Sequence, residues 1–383
     1  MDTKRIGQLI KREREKLSIS AGELAKEANI SDYHKLLDIE KGKIDIKLNE
    51  LNQISRILGF TISYFLEEQP PLNMEVLWRK CKKAKECGKI ANLLKLNCRN
   101  YEHLNKLVKN KFRKFNPPDI KELKREKFSD DYEFASNVAD TYREKWRLGE
   151  YPIRNLIDAI KKENILIFYF SLEDSGSAAS ILGDFGAAIL LNKNNVPWRL
   201  PFDISHELFH LITWEIYDHS KIYDDERGKS KVESYADIFA ANLLMPERTI
   251  KKEIERIEVD NRVLIKDILE IATKFGVSLE ALTYRLESLK IFKKDDMQKL
   301  RDDKELKDSF WGKIKYCNYL EGKIKELPEE YVNVTYNAYL SEKISKMKLA
   351  EYLNKNLGEL DYFLEKEYNF VNKEGISIGQ RLT

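Results

Sequence analysis

The sequence predicts a multidomain chain. It has an all-α domain over residues 1–68, a basic helical linker over 69–132, an α+β domain over 133–290 and a helical region over 291–383. Three observations predict this. Residues 1–68 hold short amphipathic stretches of helical period, each bounded by a capping residue, and end at the helix-breaking QPPLN of 69–73. Residues 71–130 carry 17 Lys/Arg against 7 Asp/Glu on stretches of low apolar content. From ILIFYF (165–170) the pattern changes to short β-branched and aromatic runs, followed again by helical periodicity. At 383 residues the chain is long enough for two or three separate cores.

In the first domain, Ile6, Leu9, Ile10 and Leu17 mark one helix. Ser20 and Glu23 form a capping box that opens the second, and the third runs from a capping Ser31 to Gly42. LNELNQISRILGF and ISYFLEE supply the fourth and fifth. The stretches IGQLIKREREK, GELAKEANIS and LLDIEKGK resemble the helix-turn-helix domain of the XRE family of bacterial and phage regulators. The resemblance covers about 65 residues and implies five helices, with Ser31 to Lys43 presented to a DNA major groove. DNA is then an implied partner, contacted by Ser31, Tyr33, His34, Lys35, Lys41 and Lys43. Asp32 and Asp38 bring negative charge to that surface, and residues 1–70 hold 12 Lys/Arg and 12 Asp/Glu. Counterion release therefore contributes little from this domain alone, and docking on a protein is the alternative use of such a fold.

The net charge of +3 is unevenly spread, with +10 over residues 71–130 and −7 over 131–383. The basic block is an electrostatic footprint for nucleic acid or, equally, the solvated face of a linker. Cys81, Cys87 and Cys98 follow a C-x5-C-x10-C spacing that matches no zinc knuckle, and read as thiols packed on helices. Four cysteines in so long a chain make no disulfide framework, which favours a reducing cytoplasm. No apolar run approaches a membrane span and the N-terminus has no signal core, so no membrane partner is expected. The oligomeric state is left open.

The α+β domain opens with a helix around YEFASNVADTYREKW and a second in YPIRNLIDAIKKEN, where Ile153, Leu156, Ile157 and Ile160 share a face. ILIFYF is a buried strand, SGSAASILGDFG a loop or weak strand, and GAAILLN (186–192) a further short strand able to hold an extended peptide at its edge. Next comes DISHELFHLI (203–212), with Asp203 or Ser205 as helix cap. His206 and His210, at i and i+4, lie on one helical face and can direct nitrogens at one metal ion, while Glu207 sits about 100° round the helix, within reach of a water there. This is the content of the H-E-x-x-H zinc peptidase signature, and with five histidines chance produces about 0.01 such matches. A third ligand is required, and Thr213 and Ile216 stand where the longer three-histidine motif has glycine and histidine. In VESYADIFAANLLMP, Glu233 and Asp237 are again i and i+4, on a helix whose Ile238, Ala241, Leu244 and Met245 form an apolar face. Asp237 is placed to steady a ligand histidine.

PFDISHELFHLI followed by ESYADIFAANLLMP is similar to the ImmA/IrrE family of zinc metallopeptidases, as are GAAILLNKN before and VSLEALTYRLESL after. The resemblance covers about residues 133–290. It implies a gluzincin-like domain binding Zn2+ through His206, His210 and Glu233, with Glu207 as catalytic acid and base, and a repressor-type protein as substrate. Family members occur with XRE-type regulators, in accord with the N-terminal domain. This chain has Phe209 where the family often has glycine, a larger residue expected to narrow the site. His219 and Tyr235 read as structural rather than catalytic. The rival function is a DNA-binding regulator or antitoxin-like protein whose metal domain senses or scaffolds.

Overall fold

The computed structural model describes residues 2–68, 72–79, 81–117, 130–153, 155–172, 176–195, 197–217, 231–259, 262–304, 306 and 325–364. The chain divides into two units, each assembled from separated stretches. One comprises Met1–Leu72, Asn92–Phe112 and Leu327–Thr383, the other Asn73–Ala91 and Arg113–Glu326. The stretch read as a linker thus contributes to both, and the C-terminal stretch joins the N-terminal one.

The first unit begins with α1 (Thr3–Lys16), α2 (Ala21–Glu27), α3 (Tyr33–Glu40), α4 (Leu48–Leu58) and α5 (Ile62–Leu66). Ile6, Ile10, Leu24, Leu36, Ile39, Leu51, Ile54 and Leu58 form its core. Ser20 accepts from the Glu23 amide at 3.1 Å. The third helix is capped by Asp32 and not by Ser31, because the extended Asp32 backbone brings its carboxylate to the His34 amide at 3.1 Å. At Gly7 helices α1 and α3 meet so closely that a Cβ would lie 2.1 Å from the Ile39 carbonyl oxygen. Arg14 locks the same pair, gripping Glu40 with Nε and Nη2 at 2.7 and 3.0 Å and donating to the Ile19 carbonyl at 2.8 Å.

Helix α6 (Ala84–Leu107), from Asn92 onward, adds Leu94, Cys98, Tyr101 and Leu104 to this unit's buried residues. Their spacing of three and four was masked in the sequence by lysines on the opposite face. The helices Glu329–Leu340, Lys346–Tyr352 and Leu357–Phe363 belong to the same unit. Ser63 donates to Glu351 at 2.8 Å, Lys348 pairs with Glu67, and the rings of Tyr101 and Tyr331 stack 6.4 Å apart.

The second unit is built on a four-stranded sheet of β1 (Val76–Arg79), β2 (Ile165–Phe170), β3 (Ala178–Gly183) and β4 (Gly186–Asn192), in the order β1-β3-β4-β2. β2 and β4 are parallel, while β3 and β4 form a hairpin closed by Asp184 and Phe185, where Gly186 takes φ +109°. β1 pairs antiparallel with β3, Arg79 opposite Ala178. Three expectations are corrected here. Val76–Arg79, read as helical, is a strand, and AASILG, read as a loop or weak strand, is paired on both sides. GAAILLN lies inside the sheet with both edges satisfied, so it cannot take up a peptide by edge addition.

The same unit holds helices α7 (Asp131–Lys145), α8 (Leu156–Lys162), α9 (Leu200–Ile212), α10 (Lys231–Leu244), α11 (Glu247–Ile257), α12 (Ile265–Phe275), α13 (Leu279–Ser288) and α14 (Lys294–Asp302). α9 lies between β3 and β4 on one side and α10 on the other, and α10 also packs on α7. A helix apolar on nearly all sides fits that sandwiched place. α10 buries Tyr235, Ala236, Phe239, Ala240, Leu243 and Leu244, whereas Ile238 and Ala241 of the expected apolar face are half-buried. Two buried arginines satisfy carbonyls at the end of α10: Arg143 donates to Leu243, and Arg285 to Met245 at 3.0 Å. Burial pushes both guanidinium pKa values down to about 10.

Cys81 and Cys87 form a disulfide across the start of α6, in place of the packed thiols read from sequence, and Cys98 is a buried free thiol. Cysteine usage therefore no longer argues for a reducing compartment. Among the described residues no helix is long and apolar enough to cross a membrane.

Candidate metal centre

α9 starts at Leu200, after a 3-10 turn of Pro197–Arg199, and Pro201 lies in its first turn, where a missing amide costs nothing. Asp203 and Ser205, the expected caps, lie inside the helix instead. Ser205 donates back to the Pro201 carbonyl at 2.8 Å, and the Asp203 carboxylate is turned to Arg79. His206 and His210 then project from one face, one turn apart.

α10 brings Glu233 to meet them. His206 Nε2 lies 3.2 Å from His210 Nε2 and 3.1 Å from Glu233 Oε2, and His210 Nε2 lies 3.1 Å from Glu233 Oε1. Two imidazole nitrogens and a carboxylate thus converge on one point, the donor set of a catalytic zinc site. With zinc–ligand bonds of about 2.0–2.1 Å, tetrahedral donors sit about 3.3–3.4 Å apart. The observed separations come within a few tenths of an ångström of that, so the residues fit the metal. Asp237, one turn along α10, places Oδ1 2.9 Å from His206 Nδ1. With the proton on Nδ1, the Nε2 lone pair faces the cluster.

The electrostatics suit a cation. Burial opposes ionisation of Glu233, but hydrogen bonds and charge from His206 and His210 hold its carboxyl far below the usual range. Burial and Arg79 oppose a charge on His206, yet Asp237 and Glu233 outweigh them and raise its pKa. Glu207 behaves differently. It is 0 % exposed, both its oxygens lack a hydrogen-bond partner, and burial pushes its carboxyl up to about 7, with His206 pulling the other way.

The four residues singled out around the HELFH and ESYAD motifs, together with Asp237, are brought together. Phe209, expected to narrow the site, is fully buried against Phe239, with ring centroids 5.4 Å apart. Tyr235 is buried and packs edge-on against the exposed Tyr132 at 5.1 Å, and His219 lies outside the described residues. Sequence reasoning missed Arg79 and Asn195, which hold Asp203 and, for Arg79, Asp237. Arg79 sat within a basic run and gave no signal of its own.

Of the residues assigned to DNA, Ser31, Tyr33, His34, Lys41 and Lys43 are exposed, and the Tyr33 and His34 rings lie 3.9 Å apart. Lys35 is half-buried and paired with Glu50 at 2.6 Å, and Lys43 is 3.5 Å from Asp38. Acidic neighbours therefore share two of the three lysines.

Residues 160–287 match the family model described as the IrrE N-terminal-like domain, Peptidase_M78. That match points to a metallopeptidase-type function, and it spans His206, Glu207, His210, Glu233 and Asp237 but not Arg79. No curated protein matches the chain. Two solved structures are similar to it. One is the apo form of the competence regulator ComR from Streptococcus vestibularis, at 14% identity over 92% of this chain and 90% of that one, with a TM-score of 0.17. The other is ComR from Streptococcus suis, at 16% identity over 96% and 97%, also with a TM-score of 0.17. At that TM-score neither bears on the fold or function of this chain.

Proposed function

We propose that the chain is a zinc-dependent endopeptidase that cleaves a regulatory protein of repressor type, and that its N-terminal domain is a DNA-binding module serving stress or mobile-element gene control. The observation that carries the reading is the convergence of His206, His210 and Glu233 beside an unpartnered, buried Glu207. When bound, zinc supplies Lewis acidity towards a carbonyl oxygen and a water molecule. Glu207 takes a proton from the attacking water on a carboxylate oxygen and passes it to the leaving amide nitrogen. Asp237 keeps the His206 ring in its binding tautomer, and the Glu233 carboxylate stays ionised.

Full burial of Glu207 means that a substrate reaches it only after the site opens. The same burial favours a second reading, in which the metal domain is a sensor or scaffold within a DNA-binding regulator. The test is metal analysis of the purified chain, together with incubation against proteins encoded by neighbouring genes. One equivalent of zinc and a single-site cut are expected, with Glu207→Gln keeping the metal while cleavage falls by about 10²–10⁴-fold. A Gln variant that still cuts would overturn the mechanism. A zinc-loaded protein that cuts nothing, yet retards its own upstream DNA on a gel, would favour the second reading.

A further inference from the structure

We propose that Arg79 is a positioning residue of the metal centre, holding Asp237, and through it the ring of His206, in the orientation that binds metal. The inference rests on the metal-binding reading above. Arg79 is the last residue of β1, is 7% exposed, and sends its guanidinium to the two helices that carry the donors. Nη1 pairs with Asp203 in the first turn of α9. Nη2 lies 3.4 Å from Asp237 Oδ1 on α10, the same oxygen that lies 2.9 Å from His206 Nδ1.

The anchor end is itself fixed. Asn195 donates to the second oxygen of Asp203 at 3.0 Å, and the guanidinium lies 5.3 Å from the centroid of the Phe202 ring. A planar fork with several donors can hold two carboxylates on different helices at once, which a lysine ammonium on a flexible stem does less well. The charges also favour this role. One guanidinium is paired with the carboxylates of Asp203 and Asp237, so its positive charge is shared between the two helices.

What delivers the arginine is strand pairing. β1 is in register with β3, which packs on α9, so the side chain arrives from 124 residues before Asp203 and from outside the stretch that matches the peptidase model. The centre is then completed by a segment foreign to that stretch.

The experiment is a cobalt(II) titration of the full, metal-free chain, followed by the visible spectrum, which reports ligand geometry independently of any cleavage. Arg79→Met is expected to weaken cobalt binding by about 10–100-fold and to alter the spectrum. Arg79→Lys, which keeps the buried charge without the fork, should fall between it and wild type. In an Asp237→Asn background, Arg79→Met should add little, since the effect passes through Asp237. Wild-type affinity and spectrum in both Arg79 variants would overturn the inference alone, as would losses that simply add in the double variant. A wild-type chain that takes up no cobalt would instead overturn the metal-binding reading, and the inference with it.

Discussion

Arg14 and Glu40 in the first unit, and Glu207 in the second, are all removed from water, but they are treated in opposite ways. Arg14 meets Glu40 with two parallel hydrogen bonds and spends a third on a backbone carbonyl. Glu13 nearby accepts from Arg12 at 2.8 Å and from the Tyr64 hydroxyl at 3.0 Å. Every buried charge there is answered by its opposite, and the result ties α1 to α3 and α5. In the second unit Glu207 is fully buried with no ion pair of its own, and burial outweighs the pull of His206 on its carboxyl. Burying an unpaired polar group is costly, and such costs persist where function requires them. The contrast separates a structural ion pair from a cluster whose residues could hold a cation.

The largest expected effect tests the structural side. Glu40→Ala strands a buried guanidinium and should cost about 3–5 kcal/mol, read by denaturant unfolding of the full chain, without altering metal content. A loss of metal in that variant would break the distinction. The second tests the cation. Zinc at about 100 times its dissociation constant should stabilise the chelator-treated protein by about 2.7 kcal/mol, seen as a rise in melting temperature that His210→Ala abolishes.

The third turns on Glu207 itself. Because burial disfavours the charged form of its carboxyl, the always-neutral Glu207→Gln should stabilise the metal-free protein at neutral pH and above by about 1–3 kcal/mol. A destabilised Gln variant would mean that the carboxylate is answered after all.

The smallest concerns Lys35 and Glu50. Burial opposes ionisation of Glu50, but its bonds to Lys35 and to the Lys47 amide lower its pKa below 4.5. A depressed carboxyl contributes stability above its unfolded value and loses it as pH falls through the folded one. Lys35→Ala should therefore cost less than about 1 kcal/mol at pH 7, and nothing once the pH is well below 4.5. A constant difference across that range would assign the loss to packing.

What was legible in the sequence was local. His206 with His210, and Glu233 with Asp237, announce themselves because a helix turns spacing into a shared face. ILIFYF reads as a strand because β-branched and aromatic residues fill it, and GAAILLN as a short apolar run ended by the turn signal NKNN. What escaped was decided at long range. VLWR is four residues in a lysine-rich run, and its pairing with AASILG, a hundred residues on, makes it sheet. Arg79 is one basic residue among many until Asp203 and Asp237 are folded beside it. Ser31 and Asp32 are both good caps, and the choice fell to backbone geometry that the letters do not carry.

The first unit gathers helices from both ends of the chain, and this sets an order of events during synthesis. Glu351 lies 288 residues after Ser63, and Lys348 lies 281 after Glu67. At translation speeds of about 5–20 residues per second, the early helices wait on the order of 15–60 s for these partners. The second unit has all its strands and helices out of the ribosome before then, so the part that is translated first is the part that finishes folding last.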